Sequence, residues 1–166
     1  MPLRTTRDLA LACTLAAALP LGVALAAERF AGLVPCALCL LERWPYRAAI
    51  VLGLLAFVLP LTLARALLAL LALTMLGGAA LGAVHVGVEW GFWPSPLPEC
   101  AAPRLAHGSV AQLLASLPAR PAKPCDAPTY LIPGLPLSMA AMNLLYALVF
   151  CALLATYLWR SRRRDR

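Results

Sequence analysis

The sequence predicts an all-α membrane protein, a four-helix transmembrane bundle formed by a single integral membrane domain over residues 1–166. Three observations predict it. Hydrophobic residues make up 63% of the chain and charged residues only 13%, whereas a soluble domain carries about 25% charged residues. A chain of this size also exposes too much surface to hide that excess in a core. Finally, the apolar residues are collected into four long uncharged segments.

The first two apolar segments define the N-terminal half of the bundle. Residues 9–27 form the first, which as a helix spans about 28 Å and matches the hydrocarbon thickness of a bilayer. A cleaved signal peptide is the alternative, because the segment ends in small residues. Its length and the internal Pro20 disfavour cleavage. The second span is predicted over about residues 45–64, with Pro60 and Arg65 marking a very short turn.

The last two segments complete the four spans. The third is predicted over about residues 66–86, and its glycines Gly77, Gly78 and Gly82 allow helices to approach closely. The fourth is predicted over about residues 138–159, directly before an arginine-rich end. Four spans place both termini on the same side of the membrane.

Two loops are predicted on the opposite side, over about residues 28–44 and 87–137. The second loop is long and rich in proline. Within it, the stretch from Ser109 to Leu117 can form a short amphipathic helix, with Ser109 as N-cap and Pro118 as its stop. We expect this helix either to lie on the bilayer surface or to pack on the loop itself.

Charge gives the orientation. Of the 14 basic residues, five lie in the last seven positions, and Lys and Arg concentrate on cytoplasmic flanks. The run has no interleaved aromatic residues, which argues against nucleic-acid binding. The side with the termini carries eight basic residues and the loop side six, spread over longer segments. The sequence therefore predicts a multi-pass protein of the bacterial inner membrane with cytoplasmic termini and periplasmic loops.

Cysteines supply the chemistry. Cys13 and Cys151 fall within apolar segments, where a cysteine usually acts as a small hydrophobic residue. The other four lie in the loops, on the oxidising side where disulfides persist: Cys36, Cys39, Cys100 and Cys125. Three interpretations compete, namely a structural disulfide, a zinc site with all four loop cysteines as ligands, and a thiol–disulfide relay between the two pairs.

The relay explains the tight spacing of the first pair and its position at the membrane boundary. A pair exposed in the second loop suits a protein partner, and a pair at the boundary suits a lipid-soluble electron acceptor. Cys39 and Arg43 are four residues apart and would share one helix face, where the cation favours a Cys39 thiolate and an anionic reduced acceptor. The alternative is an interfacial arginine paired with Glu42.

The stretch Pro35–Arg43, with the order Cys-x-x-Cys-x-x-Glu-Arg, resembles the disulfide bond formation protein B (DsbB) family. The motif Trp93–Pro96 before Cys100 and the stretch Leu137–Ala140 at the fourth span are also similar to that family. The resemblance covers nearly the whole chain. It implies a protein-disulfide oxidoreductase that reoxidises a periplasmic DsbA-like dithiol oxidase and reduces a quinone, sustaining disulfide bond formation.

The resemblance also implies roles for individual residues. Cys100 would be attacked by the DsbA-like partner, and the freed Cys125 would engage Cys36. Cys39 and Arg43 would face the quinone, either ubiquinone or menaquinone.

His85, near the outer end of the third span, would be a further neighbour of the quinone. No metal ligand is expected in this interpretation. The alternatives are a paralogue dedicated to one partner, and a non-enzymatic membrane protein with structural disulfides or the four-cysteine zinc site.

Overall fold

A computed structural model describes residues 3–100, 123–132 and 134–164, and the regular secondary structure within them is helical. The helices are α1 (Leu3–Ala31), α2 (Ala37–Leu41), α3 (Arg43–Val58), α4 (Leu61–Glu89) and α5 (Met139–Arg164), with a 3-10 turn at Pro98–Cys100. Among the described residues, β pairing is limited to one isolated bridge, between Tyr130 and Ser138. The amphipathic helix predicted over residues 109–117 lies outside the described residues.

Three of the described helices are long and apolar enough to cross a membrane: Arg4–Ala31, Leu61–Glu89 and Met139–Ser161. The segment predicted as the second span forms α3, which has only 16 residues. α3 packs between α1 and α4, and α4 packs in turn against α5. The helices expose apolar side chains outward, such as Leu73 at 64% and Leu153 at 66%, as expected for a surface that faces lipid.

The turn between α3 and α4 lies earlier than the sequence suggested. α3 ends at Val58 rather than near residue 64, and α4 begins at Leu61. Pro60 has no N–H to continue a helix, and it disfavours helical backbone at the residue before it. Leu59 is accordingly extended, with φ −81° and ψ 163°. Arg65 therefore lies inside α4 and not in the turn.

Pro20 does not interrupt α1, because another helix satisfies the carbonyl group that it frees. A proline inside a helix leaves the carbonyl four residues earlier without its usual donor, which here is that of Ala16. The Tyr146 hydroxyl of α5 donates a hydrogen bond to this oxygen at 2.7 Å. The contact ties the first helix to the last, in the way that membrane helices satisfy backbone groups near proline.

Both cysteine pairs and the buried polar residues around them lie at one end of the bundle. The end of α1, the start of α3, the end of α4 and the start of α5 meet there. Ser138, just before α5, donates a hydrogen bond to Glu89 at the end of α4, and its Oγ accepts from the Ala141 N–H at 3.1 Å. Ser138 therefore caps α5 and joins it to α4.

Two of the three glycines predicted to permit close packing do so. A Cβ on Gly78 would lie 3.0 Å from Pro45, and one on Gly82 would lie 3.1 Å from the Cα of Leu144. A Cβ on Gly77 would meet no atom within 4 Å. The close approach between α4 and α5 therefore depends on Gly82, whereas Gly77 plays no part in it.

The two glycines give a matched test of this packing. Gly82→Ala should destabilise the protein by about 1–3 kcal/mol relative to Gly77→Ala, because only the first pushes the α5 backbone away. Both changes gain the same helix propensity, so the difference isolates the contact. Denaturant unfolding in detergent micelles measures it, and equal stability of the two variants would contradict the close packing.

Candidate functional site

The first cysteine pair is organised by the short helix α2. Cys36 is its N-cap, with extended backbone at φ −80° and ψ 172°, and its Sγ accepts the Cys39 backbone N–H at 3.2 Å. Both cysteines are free thiols. Their sulfurs lie 2.9 Å apart and share a hydrogen bond, so the Cys-x-x-Cys spacing places two reduced sulfurs in direct contact.

A buried histidine of α4 reaches the same sulfur from the other side. The Nε2 atom of His85 lies 3.5 Å from Cys36 Sγ, and its Nδ1 lies 2.9 Å from Glu42 Oε1. His85 is only 2% exposed and Glu42 only 7%. Glu42, His85 and Cys36 therefore form a buried chain of contacts that resembles a carboxylate–imidazole–thiol triad.

These contacts stabilise the thiolate of Cys36, not that of Cys39. The hydrogen bond with Cys39, helped by His85 and the Cys39 N–H, lowers the pKa of Cys36 to about 4 against the opposing effect of burial. The hydrogen bond to Cys36, followed by burial, raises the pKa of Cys39. The sequence predicted a Cys39 thiolate beside Arg43, whereas in this reduced state the Cys39 N–H and His85 both contact the sulfur of Cys36.

Arg43 is held by α1 instead of by its neighbour in sequence. Its guanidinium forms an ion pair with Glu28 near the end of α1, and the residue is buried. Glu42, the partner that the interfacial alternative assigned to it, is hydrogen-bonded to His85. Arg43 therefore does not extend to the surface, and it lies with Cys39 in the wall of one cavity.

The cavity opens between α1, α3 and α5 and has a volume of about 240 Å³. Apolar residues form most of its wall, and its polar lining comes from Cys39, Glu42, Arg43, Tyr46, Asn143 and Tyr146. His85, which the sequence assigned to an acceptor site, does not belong to the lining because it lies behind Cys36 and Glu42.

Asn143 is a residue that the sequence analysis missed. Its Oδ1 accepts the Tyr46 hydroxyl at 2.5 Å, while its buried Nδ2 has no hydrogen-bond partner among the described residues. An unpaired buried donor is costly, and here it belongs to a side chain of the cavity wall. The sequence did hold a signal, since a polar amide inside an otherwise apolar span commonly marks a functional site.

The second cysteine pair is a closed disulfide between Cys100 and Cys125. It packs with Cys36, Leu38 and Val88 in one buried cluster, so the fold brings the two pairs together. Cys100 is 4% and Cys125 only 1% exposed, which corrects the expectation of an exposed pair. A closed disulfide has no thiolates to offer a metal, and this argues against zinc bound by all four loop cysteines.

The fold and this site define a class, that of helical membrane proteins in which a reduced dithiol and a disulfide share one buried cluster. The family model of the disulfide bond formation protein DsbB matches residues 6–157. The chain therefore belongs to the DsbB family, and it is a membrane protein of disulfide bond formation. No curated protein and no solved structure matches it significantly.

The Cys36 contacts give a pH prediction. In the reduced protein, with a chelator present, alkylation of Cys36 should stay nearly constant between about pH 8 and 5, because the thiolate is the reacting form. The rate should fall only as the pH approaches the pKa of about 4. An ordinary thiol, with a pKa near 8.5, would lose about tenfold in rate for each pH unit below it.

Cys39→Ala provides the control, since it removes the strongest of these contacts. The pKa of Cys36 should rise and the alkylation rate should regain its dependence on pH. Mass spectrometry of the peptide that contains Cys36 measures both rates. A wild-type profile that rises with pH as that of an ordinary thiol does would contradict the assignment.

Proposed function

We propose that this protein reoxidises a periplasmic DsbA-like dithiol oxidase by passing electrons through its two cysteine pairs to a membrane quinone. The observation that carries the proposal is the buried cluster that contains Cys36, Cys100 and Cys125 together. Thiol–disulfide exchange requires direct contact between sulfurs, and two pairs packed in one cluster need only local movement to achieve it. Membership of the family supports the same relay.

The outer exchange begins at the Cys100–Cys125 disulfide. A thiolate of the partner attacks Cys100, a mixed disulfide forms, and Cys125 leaves as a thiolate. The second thiol of the partner then displaces Cys100, and the partner departs oxidised. Because both cysteines are buried, the segment around them must open for the first attack, which ties reaction to docking of the partner.

The inner exchange returns the electrons to the Cys36–Cys39 pair. The Cys125 thiolate attacks Cys36 of an oxidised inner pair and Cys39 leaves as a thiolate. Cys100 then attacks Cys125 in this mixed disulfide, and Cys36 leaves. Closing the outer disulfide leaves Cys36 and Cys39 reduced, which is the combination of states seen here. His85 and Glu42 hold the Cys36 thiolate close to Cys39, ready to close the inner disulfide again.

The cavity beside Cys39 fits a quinone. Its walls are mainly apolar, and the Arg43 guanidinium and the free Nδ2 of Asn143 supply N–H donors suited to carbonyl oxygens. A quinone bound there supplies the acceptor for the two electrons and two protons released when Cys36 and Cys39 form a disulfide. Glu28 fixes the position of Arg43, and Tyr46 fixes that of Asn143.

The relay requires a defined orientation in the inner membrane. We propose that α3 completes a four-span bundle with α1, α4 and α5, with both termini cytoplasmic and both cysteine pairs periplasmic. The concentration of arginines after α5 supports this orientation. The length of α3, 16 residues, suits a span whose ends are shielded by neighbouring helices.

The relay is tested with purified protein, a reduced partner and quinone, by following quinone absorbance. Cys39→Ser and Cys100→Ser should each abolish turnover, because each removes a sulfur from one pair. Cys151→Ser, a change within α5 and away from both pairs, is the matched control and should retain turnover. Persistent turnover in both Cys39→Ser and Cys100→Ser would show that the relay is wrong.

The acceptor site is tested by a comparison of two arginines. Arg43→Ala should raise the apparent KM for quinone about tenfold or more, as expected when a charged hydrogen bond is lost, and should change the KM for the partner much less. Arg47, which lies one turn further along α3 and stacks on Trp44, gives the control Arg47→Ala. An unchanged quinone KM in Arg43→Ala would remove this residue from the acceptor site.

A further inference from the structure

Three ligand atoms of the reduced site converge in a way that the relay does not require. Cys36 Sγ, Cys39 Sγ and His85 Nε2 all lie within 4.8 Å of one another. Cys36 and His85 are buried and Cys39 is partly exposed. They come from α2 with its N-cap and from α4, two helices that are far apart in the sequence.

Two thiolates and an imidazole are a typical ligand set for Zn²⁺. With Zn–S bonds of about 2.3 Å and Zn–N bonds of about 2.05 Å, tetrahedral geometry places sulfur and nitrogen about 3.5 Å apart and the two sulfurs about 3.8 Å apart. The separation between Cys36 Sγ and His85 Nε2 is already 3.5 Å. The sulfurs, now 2.9 Å apart, need to separate by about 0.9 Å to reach that geometry.

A second observation points independently to a metal. Histidines that bind metals nearly always direct their other ring nitrogen to a carboxylate or a carbonyl group, which fixes the ring and its tautomer. Glu42 Oε1 lies 2.9 Å from His85 Nδ1 and thereby directs the Nε2 atom at the cysteines. The carboxylate–histidine arrangement of a zinc site is therefore already assembled.

The cavity can supply a water molecule as the fourth ligand and gives the metal a path to the site. Cys39 and Glu42 both lie in the wall of the 240 Å³ cavity, so a metal between the sulfurs has access to that space and to a water molecule there. Sites with three protein ligands usually keep such an open position. Zn²⁺ with two thiolates also has no net charge, which suits a buried site.

We propose that the reduced Cys36–Cys39 pair and His85 form a zinc site, and that Zn²⁺ bound there inhibits the protein by holding the dithiol reduced. Binding displaces the remaining thiol proton and the Nε2 proton of His85, and it transfers no electrons. Oxidation of the pair to a disulfide removes both sulfur ligands and releases the metal, so the site exists only in the reduced state. It differs from a four-cysteine site because Cys100 and Cys125 take no part.

Co²⁺ is the spectroscopic probe for this site. In a full-length Cys100→Ser/Cys125→Ser background, reduced and freed of reductant, one Co²⁺ per chain should give sulfur-to-cobalt charge-transfer bands and the intense visible bands of tetrahedral cobalt. Zn²⁺ should displace it. Glu42→Gln should weaken the affinity about 10–100-fold, and His85→Ala should weaken it at least as much.

Glu89→Gln is the matched control, since Glu89 is a carboxylate on the same helix as His85 but is bonded to Ser138. It should leave cobalt affinity unchanged. Absence of the charge-transfer bands, equal bands in His85→Ala, or equal binding by protein with an oxidised Cys36–Cys39 pair would each overturn the proposal.

A second measurement uses the wild-type sequence and needs no loop substitution. Zn²⁺ should protect Cys36 and Cys39 of the reduced protein from alkylation, and a chelator should restore the rate. Unprotected cysteines would overturn the proposal even if the substituted background failed to fold. Both experiments measure binding without quinone or partner, so their failure is distinct from a failure of the relay.

Discussion

The contact between Glu42 and His85 is the interaction on which the site depends. Both side chains are buried, and each would be costly to bury alone. Their hydrogen bond joins the start of α3 to the end of α4. It also fixes the imidazole against Cys36, so one polar contact joins two helices and adds His85 to the contacts that stabilise the Cys36 thiolate.

The cysteine pair lies at the start of the short helix α2, just before α3. Cys36 is the N-cap of α2, where the Cys39 N–H donates a hydrogen bond to its sulfur. Arg43 is turned towards Glu28 on α1. The two cysteines therefore have different surroundings. Cys36 packs in the buried cluster, and Cys39 lies in the wall of the cavity.

Burial of the Cys100–Cys125 disulfide has a consequence for specificity. The Cys100–Cys125 disulfide is covered by Leu97, Val88 and Leu38, so small thiols in the surrounding medium have little access to it. A partner that opens this cover gains access through its own binding energy. In the reduced state Cys36 is similarly enclosed, whereas Cys39 is partly exposed in the wall of the cavity.

The sequence by itself determined the class of the fold, the four apolar segments, and the two cysteine pairs outside them. These follow from hydropathy and from spacings of a few residues, which are local properties of the chain. Its boundary for the second span was too late, because α3 ends at Val58, just before Pro60, and Arg65 already lies inside α4. It did not identify the contacts of His85, Glu28 and Asn143, whose partners lie 15 to 97 residues away in sequence. Only the tertiary structure decided these contacts, because the rotation and packing of the helices determine which polar side chains meet within the bundle.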